Sequence, residues 1–284
     1  MIYKHLPLVA IFLFMVCSCS TKESGWQPLF NGKDLSGWDT YLGPRYDTIR
    51  NTTDTIPIGL NTDPANVFTV VKLYNENVIR ISGENFGGIS TTSEFENYHL
   101  QLQFRWGELK WAPRKKSKKD SGIMYHAVGP QGADGGNWMR SQELQIQAGD
   151  CGDYWACAGA IGDVRARKKS DNSYIYDQTG SMFTFSTLSV DNRNCKKFPD
   201  AEKPDGEWNT LDLYCFGSTS MHVVNGVVNM IINNSRQFEG DKEIPLIKGK
   251  IQIQSEGAEI YYKDIRITSI TSLPQNMKAN QESN

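Results

Sequence analysis

The sequence predicts an all-β sandwich or jelly roll, and three observations support this class. Apolar and polar residues alternate along several segments, among them 98–106 and 142–147. A period of two places successive side chains on opposite faces of a half-buried strand. An Asn-Gly pair stands between β-branched residues at Val224–Val227, which is a strong hairpin signal. No long stretch holds a helical repeat, and many short strands separated by turns are typical of a β-sandwich.

Composition excludes several classes of protein. The chain has 284 residues, of which 39% are hydrophobic, and its 30 basic and 32 acidic residues leave a formal charge of −2. A dedicated nucleic-acid-binding protein usually carries a strongly basic domain, so no nucleic-acid partner is expected. The hydrophobic fraction also argues against a multi-span membrane protein and against a disordered chain. No break in composition divides the chain into two domains.

The pattern of the N-terminal residues predicts an export signal. Lys4 precedes the apolar run Leu6–Val16, which is too short to cross a bilayer as a helix. The small Ser18 directly before Cys19 resembles a bacterial lipobox, so residues 1–18 are predicted to be a signal peptide and Cys19 to be lipidated. The protein is therefore expected in the bacterial cell envelope, lipid-anchored and periplasm-facing or at the cell surface. An ordinary secreted protein or an uncleaved anchor is the alternative.

The exported chain is predicted to hold one domain. A lipidated tether covers residues 19–24, the domain residues 25–270 and a polar tail residues 271–284. Residues 43–66 are rich in Thr, Pro, Asn and Asp and are predicted to form a long loop. The dense basic run 110–119 is either a solvated hairpin loop or an attraction point for anionic glycans or lipid headgroups.

Four cysteines remain after export and lipidation. They are Cys151, Cys157, Cys195 and Cys215. An even number in an oxidising compartment permits disulfides, and four cysteines allow three connectivities. A Cys151–Cys157 bridge across a short loop is the first expectation, and unpaired buried cysteines are the alternative. The spacing does not favour a structural zinc site.

Several segments resemble, in order, those of one enzyme family. They are Leu29–Trp38, Asp120–Ile123, Glu143–Gln147, Gly206–Thr210, Val224–Gly226 and Ile251–Ile265. Together they resemble the 3-keto-disaccharide hydrolase family, also described as 3-keto-glucoside 1,2-lyase / 3-keto-2-hydroxyglucal hydratase. The resemblance implies a concanavalin-A-like jelly roll from about residue 25 to 270. Family members often carry Asn-Ser-Gly-Ile followed by Arg, where this chain has Asp120-Ser121-Gly122-Ile123 and then His126.

The resemblance also implies a reaction. A ketone at C3 of a glucoside acidifies the hydrogen at C2, and loss of the C1 substituent then gives a 3-keto-2-hydroxyglucal, which water converts to the free 3-keto sugar. Such an enzyme needs a base at C2, a stabiliser of the enolate oxygen and a proton donor to the leaving oxygen. The substrate would come from a sugar 3-oxidoreductase, the functional partner that this reaction requires.

The strand period indicates which polar side chains share a face. If apolar residues such as Leu144 and Ile146 point into the core, their neighbours point away from it. If the strands concerned lie in one sheet, they form a groove suited to a polyhydroxylated sugar. Glu143, His126 and Glu256 are the predicted catalytic residues. The predicted substrate-binding residues are Arg105, Gln145, Gln147 and Gln254, with Trp138 and Trp155 as stacking platforms for sugar rings.

No cofactor or metal is predicted. Asp150 and Asp153 lie in an acidic segment that could bind calcium, but their pattern does not favour calcium over a turn. The sequence has no G-x-S-x-G, Walker or H-E-x-x-H motif, so serine hydrolase, nucleotide and zinc protease readings lack support. Two alternatives stay open: a conventional two-carboxylate glycoside hydrolase on the same fold, and a non-catalytic carbohydrate-binding module.

Overall fold

The computed structural model describes residues 25–188 and 193–274, and these residues form β-strands without any helix. The strands are β1 Gln27–Pro28, β2 Trp38–Asp47, β3 Thr52–Leu60, β4 Phe68–Leu73, β5 Glu76–Ile81, β6 Gly87–Thr91, β7 Phe95–Glu96, β8 Tyr98–Lys110, β9 Gly122–Val128, β10 Arg140–Gln145, β11 Tyr154–Cys157, β12 Ala160–Lys168, β13 Tyr174–Tyr176, β14 Ser181–Phe185, β15 Asn194–Cys195, β16 Asn209–Phe216, β17 Thr219–Val224, β18 Val227–Glu239, β19 Lys242–Pro245, β20 Lys248–Ser255 and β21 Ala258–Ser269. The signal peptide, Cys19 and most of the polar tail lie outside the described residues.

The strands form two antiparallel sheets. The larger sheet has the order β13-β12-β18-β17-β16-β8-β21-β5-β4, with β1, β14 and β19 paired at its margins. The smaller sheet has the order β15-β11-β10-β9-β20-β6-β2-β3, with β7 paired to β20. Most neighbours in these orders are distant in the chain, as in a jelly roll. The predicted all-β sandwich is confirmed.

The core lies between the two sheets and follows the predicted alternation. Leu144 and Ile146 from the smaller sheet are buried in the same cluster as Leu102 and Phe104 from the larger one. Ile251, Ile253 and Ile123 join that cluster. Because their neighbours along each strand point the opposite way, Glu143 and Gln145 of β10 and Gln254 of β20 lie on the outer face of the smaller sheet.

The hairpin at Asn225-Gly226 is confirmed. Asn225 and Gly226 both have positive φ, 49° and 82°, and join β17 to β18, as a tight type I′ turn requires. The predicted long loop at residues 43–66, by contrast, contains the hairpin of β2 and β3. The strand β3 is a mostly exposed edge strand, so its polar sequence lacks the alternation by which a half-buried strand is recognised.

The predicted Cys151–Cys157 disulfide is absent from the structure. Cys151, Cys157, Cys195 and Cys215 are all buried free thiols. Cys151 packs into the core between the sheets, whereas Cys157 points to the outer face of the smaller sheet, where its thiol contacts Glu143. Thiols on opposite sides of one sheet cannot meet without moving the backbone.

Within the described part of the chain there is no helix that could cross a membrane.

Candidate active site

A cleft of about 270 Å³ lies on the outer face of the smaller sheet. Polar side chains and two tryptophans line it, which are the groups that bind sugars. Most of the predicted site residues converge there, namely Glu143, Gln145, Gln147, Gln254, Glu256, Trp138 and Trp155. Arg114, Asp120, Asp134, Gly135 and Arg193 complete the lining. The predicted groove therefore exists, while His126 and Arg105 lie elsewhere.

Glu143 lies at the centre of the cleft floor. Its strand β10 runs between β9 and β11, so Glu143 stands opposite Met124 on one side and Trp155 on the other. Only 4% of the residue is exposed. Burial raises the pKa of the Glu143 carboxyl to about 8, because desolvation disfavours the charged form more than the Cys157 hydrogen bond favours it. Glu143 therefore carries a proton at neutral pH.

Gly122 makes room for the Glu143 carboxyl. A Cβ atom at this position of β9 would lie 2.2 Å from Glu143 Oε1 and 2.8 Å from Gln254 Oε1. Both oxygens thus face the space above the glycine backbone. Any side chain at position 122 would fill this part of the cleft, so the glycine keeps the space beside the Glu143 carboxyl open.

A carboxylate pair shares one guanidinium beside Glu143. Arg114 donates through Nη2 to Asp120 Oδ2, and its Nη1 lies 3.3 Å from Glu256 Oε1. Gln147 also donates to Asp120 Oδ2, while Asp120 Oδ1 is buried without a partner in the described structure. Burial raises the pKa of Asp120 to about 6, although the Arg114 charge opposes this shift. Burial also raises the pKa of Glu256 well above its usual range, and the negative charge of Asp120 adds to that effect. Burial thus favours the protonated form of both carboxyls, and the Arg114 charge opposes it for both.

A second guanidinium closes the opposite side of the cleft. Arg193 lies just before β15, and its Nη2 is 2.9 Å from Asp134 Oδ2. The guanidinium carbon lies 5.2 Å from the centre of the Trp155 ring. Arg193 thus occupies one side of Trp155 in a cation–π contact. Trp138 on the neighbouring loop is fixed by its Nε1, which donates to the Gly87 carbonyl at 2.8 Å.

His126 is not in the cleft. It has a positive φ of 50° and is 1% exposed, with its ring packed edge-on against Tyr98 and Tyr125. The pairing of β9 with β20 shifts register between Lys250 and Gln252, so β9 carries an extra residue here. Such a bulge reverses the alternation, and His126 turns into the protein. Burial lowers the pKa of His126 to about 4.

We expect His126 to destabilise the protein in acid. Because its folded-state pKa lies below the ordinary 6.5, the unfolded chain takes up the proton first and stability falls as pH drops from 7 to 5. The effect of this one group is about 2 kcal/mol over that interval. Asn tolerates a positive φ and does not titrate. The difference in free energy of unfolding between the wild type and His126→Asn should therefore shift by about that amount in the variant's favour.

Urea unfolding at pH 7 and pH 5 measures this shift. Taking the difference between variant and wild type cancels the opposite effect of carboxyls with raised pKa, such as Glu143 and Asp153. Cys215→Ala, which removes another buried but untitrated side chain, should show no such shift. A constant difference for His126→Asn at both pH values would contradict the expectation.

Arg105 lies on a different sheet. It belongs to β8 of the larger sheet, where its guanidinium carbon lies 5.0 Å from the centre of the Tyr74 ring. Its side chain does point away from the core, as predicted, but the outer faces of the two sheets are opposite surfaces of the sandwich. Arg105 is therefore no part of the candidate site.

Four charged residues of the cleft were not among the predicted site residues. Asp120 could have been found from the sequence, because it is the first residue of the Asp120–Ile123 segment of the family resemblance. Arg114 belongs to the basic run 110–119 but is itself half-buried. Asp134 and Arg193 stand in loops with no motif or alternation around them, and only the fold brings them beside β10.

Asp150 and Asp153 have other contacts. Asp150 Oδ2 lies 2.6 Å from Lys118 Nζ, and Asp153 Oδ1 accepts a hydrogen bond from the Lys197 backbone N–H at 2.8 Å. Among residues 25–188 and 193–274, His, Cys, Asp and Glu side chains form no group of three that could hold a metal ion.

Three solved structures that are similar to this chain share low sequence identity with it. A protein from Parabacteroides distasonis, provisionally assigned as a glycosyl hydrolase, is 17% identical, with a TM-score of 0.47 over 87% of this chain and 94% of the other. A β-glucanase from Bacillus licheniformis is 10% identical, with a TM-score of 0.41 over 86% and 97%. A carbohydrate-binding module from Bacillus subtilis is 7% identical, with a TM-score of 0.40 over 71% and 92%. No curated protein sequence matches the chain significantly.

A cleft of carboxyls, amides and tryptophans on a β-sandwich is the kind of site that carbohydrate-active proteins use. The model of the 3-keto-alpha-glucoside-1,2-lyase-like domain family matches residues 25–268. The chain therefore belongs to this family, as the sequence segments predicted.

Proposed function

We propose that the protein cleaves 3-keto-glycosides by elimination across C1 and C2 and then hydrates the 3-keto-2-hydroxyglucal. The observation that carries this proposal is the pairing, in one cleft, of a carboxyl that is protonated at neutral pH with a carboxylate that is ionised. Glu143 has a pKa of about 8, and Asp120 a pKa of about 6. Carboxyls whose pKa values are driven apart by their surroundings are suited to acid and base roles.

The base is the Asp120–Glu256 pair. Asp120 holds its negative charge because Arg114 and Gln147 both donate to Oδ2, which leaves the lone pairs of Oδ1 free. The base takes the proton from C2, and the electron pair of that C–H bond passes into the enolate formed with the C3 ketone. The guanidinium groups of Arg114 and Arg193 supply positive charge for the enolate oxygen.

Glu143 is the acid. As the enolate collapses, the C1–O bond breaks, a C1=C2 double bond forms and the proton of Glu143 passes to the leaving oxygen. In the hydration step the ionised Glu143 takes a proton from water, whose oxygen adds to C1, and C2 regains a proton from the base. Both carboxyls then return to their starting states, so the cycle balances without an added reductant or oxidant.

The proposal is tested by incubation with a 3-keto-glucoside and with the parent glucoside in deuterated water. The expected result is cleavage of the keto substrate alone, with deuterium at C2 of the product. Cleavage of the parent glucoside without C2 labelling would overturn the proposal and favour the conventional hydrolase. Binding without cleavage of either would favour the carbohydrate-binding module, against which the burial of Glu143 at the cleft floor argues.

The rate of cleavage should depend on pH with a maximum near neutrality. Below a pH of about 6 the Asp120 base takes up a proton, and above about 8 the Glu143 acid loses its own. Both changes remove the form that the reaction needs, so kcat/KM should fall on either side. Initial rates on a 3-keto-glucoside from pH 4.5 to 9.5 measure this profile. A rate that rises steadily to pH 9.5 would contradict Glu143 as the acid.

We further propose that the enzyme acts outside the cytoplasm, anchored through a lipidated Cys19. The basis is the Leu6–Val16 run and Ser18-Cys19. Its substrate would come from an enzyme that oxidises the C3 hydroxyl of a glycoside. Metabolic labelling with a palmitate analogue, lost in Cys19→Ala, would test the anchor.

A further inference from the structure

The thiol of Cys157 contacts the carboxyl of Glu143. Cys157 lies two residues after Trp155 on β11 and therefore shares the outer face with it. Its Sγ donates to Glu143 Oε2 at 3.3 Å, and both groups are buried. A buried thiol in direct contact with the central carboxyl of the cleft is not used by the reaction as proposed above.

Arg193 fixes the direction of this hydrogen bond. Its Nη2 lies 3.7 Å from Cys157 Sγ. A guanidinium can only donate, so the sulfur accepts from Arg193 and turns its own hydrogen towards Glu143. Burial also raises the pKa of the Cys157 thiol well above its usual range, so the thiol keeps this hydrogen.

The two oxygens of Glu143 consequently differ. Oε2 is occupied by a donor, and a proton on Oε2 would face the thiol hydrogen. Glu143 Oε1 instead faces the space above Gly122, near the amide oxygen of Gln254. That amide oxygen is an acceptor without a donor in the described structure. The acid proton is thus favoured on Oε1, the oxygen directed into the cleft.

We propose that Cys157 is a positioning residue that holds the acid proton of Glu143 on Oε1, aimed at the leaving oxygen of the substrate. This inference rests on the proposed function for its catalytic meaning. Other charged groups that act on Glu143 are Asp120, Asp134 and Glu256, which disfavour its ionisation, and Arg193, which favours it. Among the described residues, Cys157 is the neighbour whose side chain donates a hydrogen bond to the Glu143 carboxyl itself.

Two variants at Cys157 and one elsewhere test the proposal. Cys157→Ala should lower kcat on a sugar-leaving 3-keto-glycoside about tenfold, the effect of one lost hydrogen bond of about 1.4 kcal/mol, with KM unchanged. The alkaline limb of the profile should move to higher pH, because the thiol favours ionised Glu143. Cys157→Ser keeps a donor and should restore both. Cys215 is a buried thiol remote from the cleft, so Cys215→Ala should have the kcat and the pH profile of the wild type.

A measurement without turnover separates this proposal from the proposed function. With ¹³C-labelled glutamate and the Glu143→Gln variant for assignment, NMR titration reports the pKa of Glu143 directly. A higher pKa in Cys157→Ala, reversed in Cys157→Ser, supports the inference even if no 3-keto-glycoside is cleaved. An unchanged pKa and kcat in Cys157→Ala, or equal values in the Ala and Ser variants, would overturn it.

Discussion

Replacing Glu143 with Gln should slow cleavage of a 3-keto-glycoside with a sugar leaving group by about 10³-fold, the usual contribution of a general acid. Gln keeps the shape of the side chain but has no proton of suitable acidity. The loss should be much smaller for a 3-keto-glycoside of nitrophenol, because nitrophenolate leaves without protonation. Rates on the two substrates measure this contrast.

A buried carboxylate on the other sheet provides the control for Glu143→Gln. Glu259 is 6% exposed and pairs with Arg80 at 2.7 Å, so Glu259→Gln makes the same chemical change at a buried carboxyl without touching the cleft. It should retain wild-type rates on both substrates. If Glu143→Gln were equally slow on both, Glu143 would have to act before the leaving group departs, and its role as the acid would be wrong.

Replacing Asp120 with Asn should abolish most of the exchange of the C2 hydrogen with solvent, by about 10²-fold or more. Asn cannot accept the C2 proton, although it can still accept a hydrogen bond from Arg114. Exchange at C2 is followed by NMR in deuterated water with the 3-keto sugar alone, so that no leaving group is involved. Glu143→Gln should retain this exchange, which separates the base step from the acid step.

Asp150→Asn is the matched control for the base. Asp150 is partly exposed, pairs with Lys118 outside the cleft, and its variant should exchange C2 at the wild-type rate. Undiminished exchange in Asp120→Asn would exclude Asp120 as the base. If Glu256→Gln lost the exchange and Asp120→Asn kept it, the base would be Glu256 rather than Asp120.

Alternation in the sequence predicted the faces of strands because the period of two is a local property. Glu143 and Gln145 lie in the cleft for that reason, since Leu144 and Ile146 both point into the core. The same reasoning failed at His126, where the extra residue in β9 reverses the alternation. The residues on either side of His126, Tyr125 and Ala127, are neither Gly nor Pro and do not mark a bulge.

The opening segment of the family resemblance, Leu29–Trp38, lies outside the cleft. In Leu29–Trp38, Asn31 Oδ1 accepts from the backbone N–H groups of Lys33 and Asp34, and Trp38 Nε1 donates to the Leu29 carbonyl at 2.7 Å. These bonds close a turn outside the cleft lining. This segment therefore helped to identify the family without lining the cleft, whereas Gln254 and Glu256 of the closing segment do line it.

By itself, the sequence determined the sandwich class, the face of most strand residues and the family, because these depend on local alternation, turn chemistry and ordered motifs. The tertiary structure alone decided which sheet each face belongs to, and so it placed Arg105 and Glu143 on opposite surfaces. It also brought Asp120, Glu256 and Arg193 beside Glu143 across large separations in the chain. The pKa values that define acid and base arise from this assembly, because burial and neighbouring charge exist only once the strands are in order.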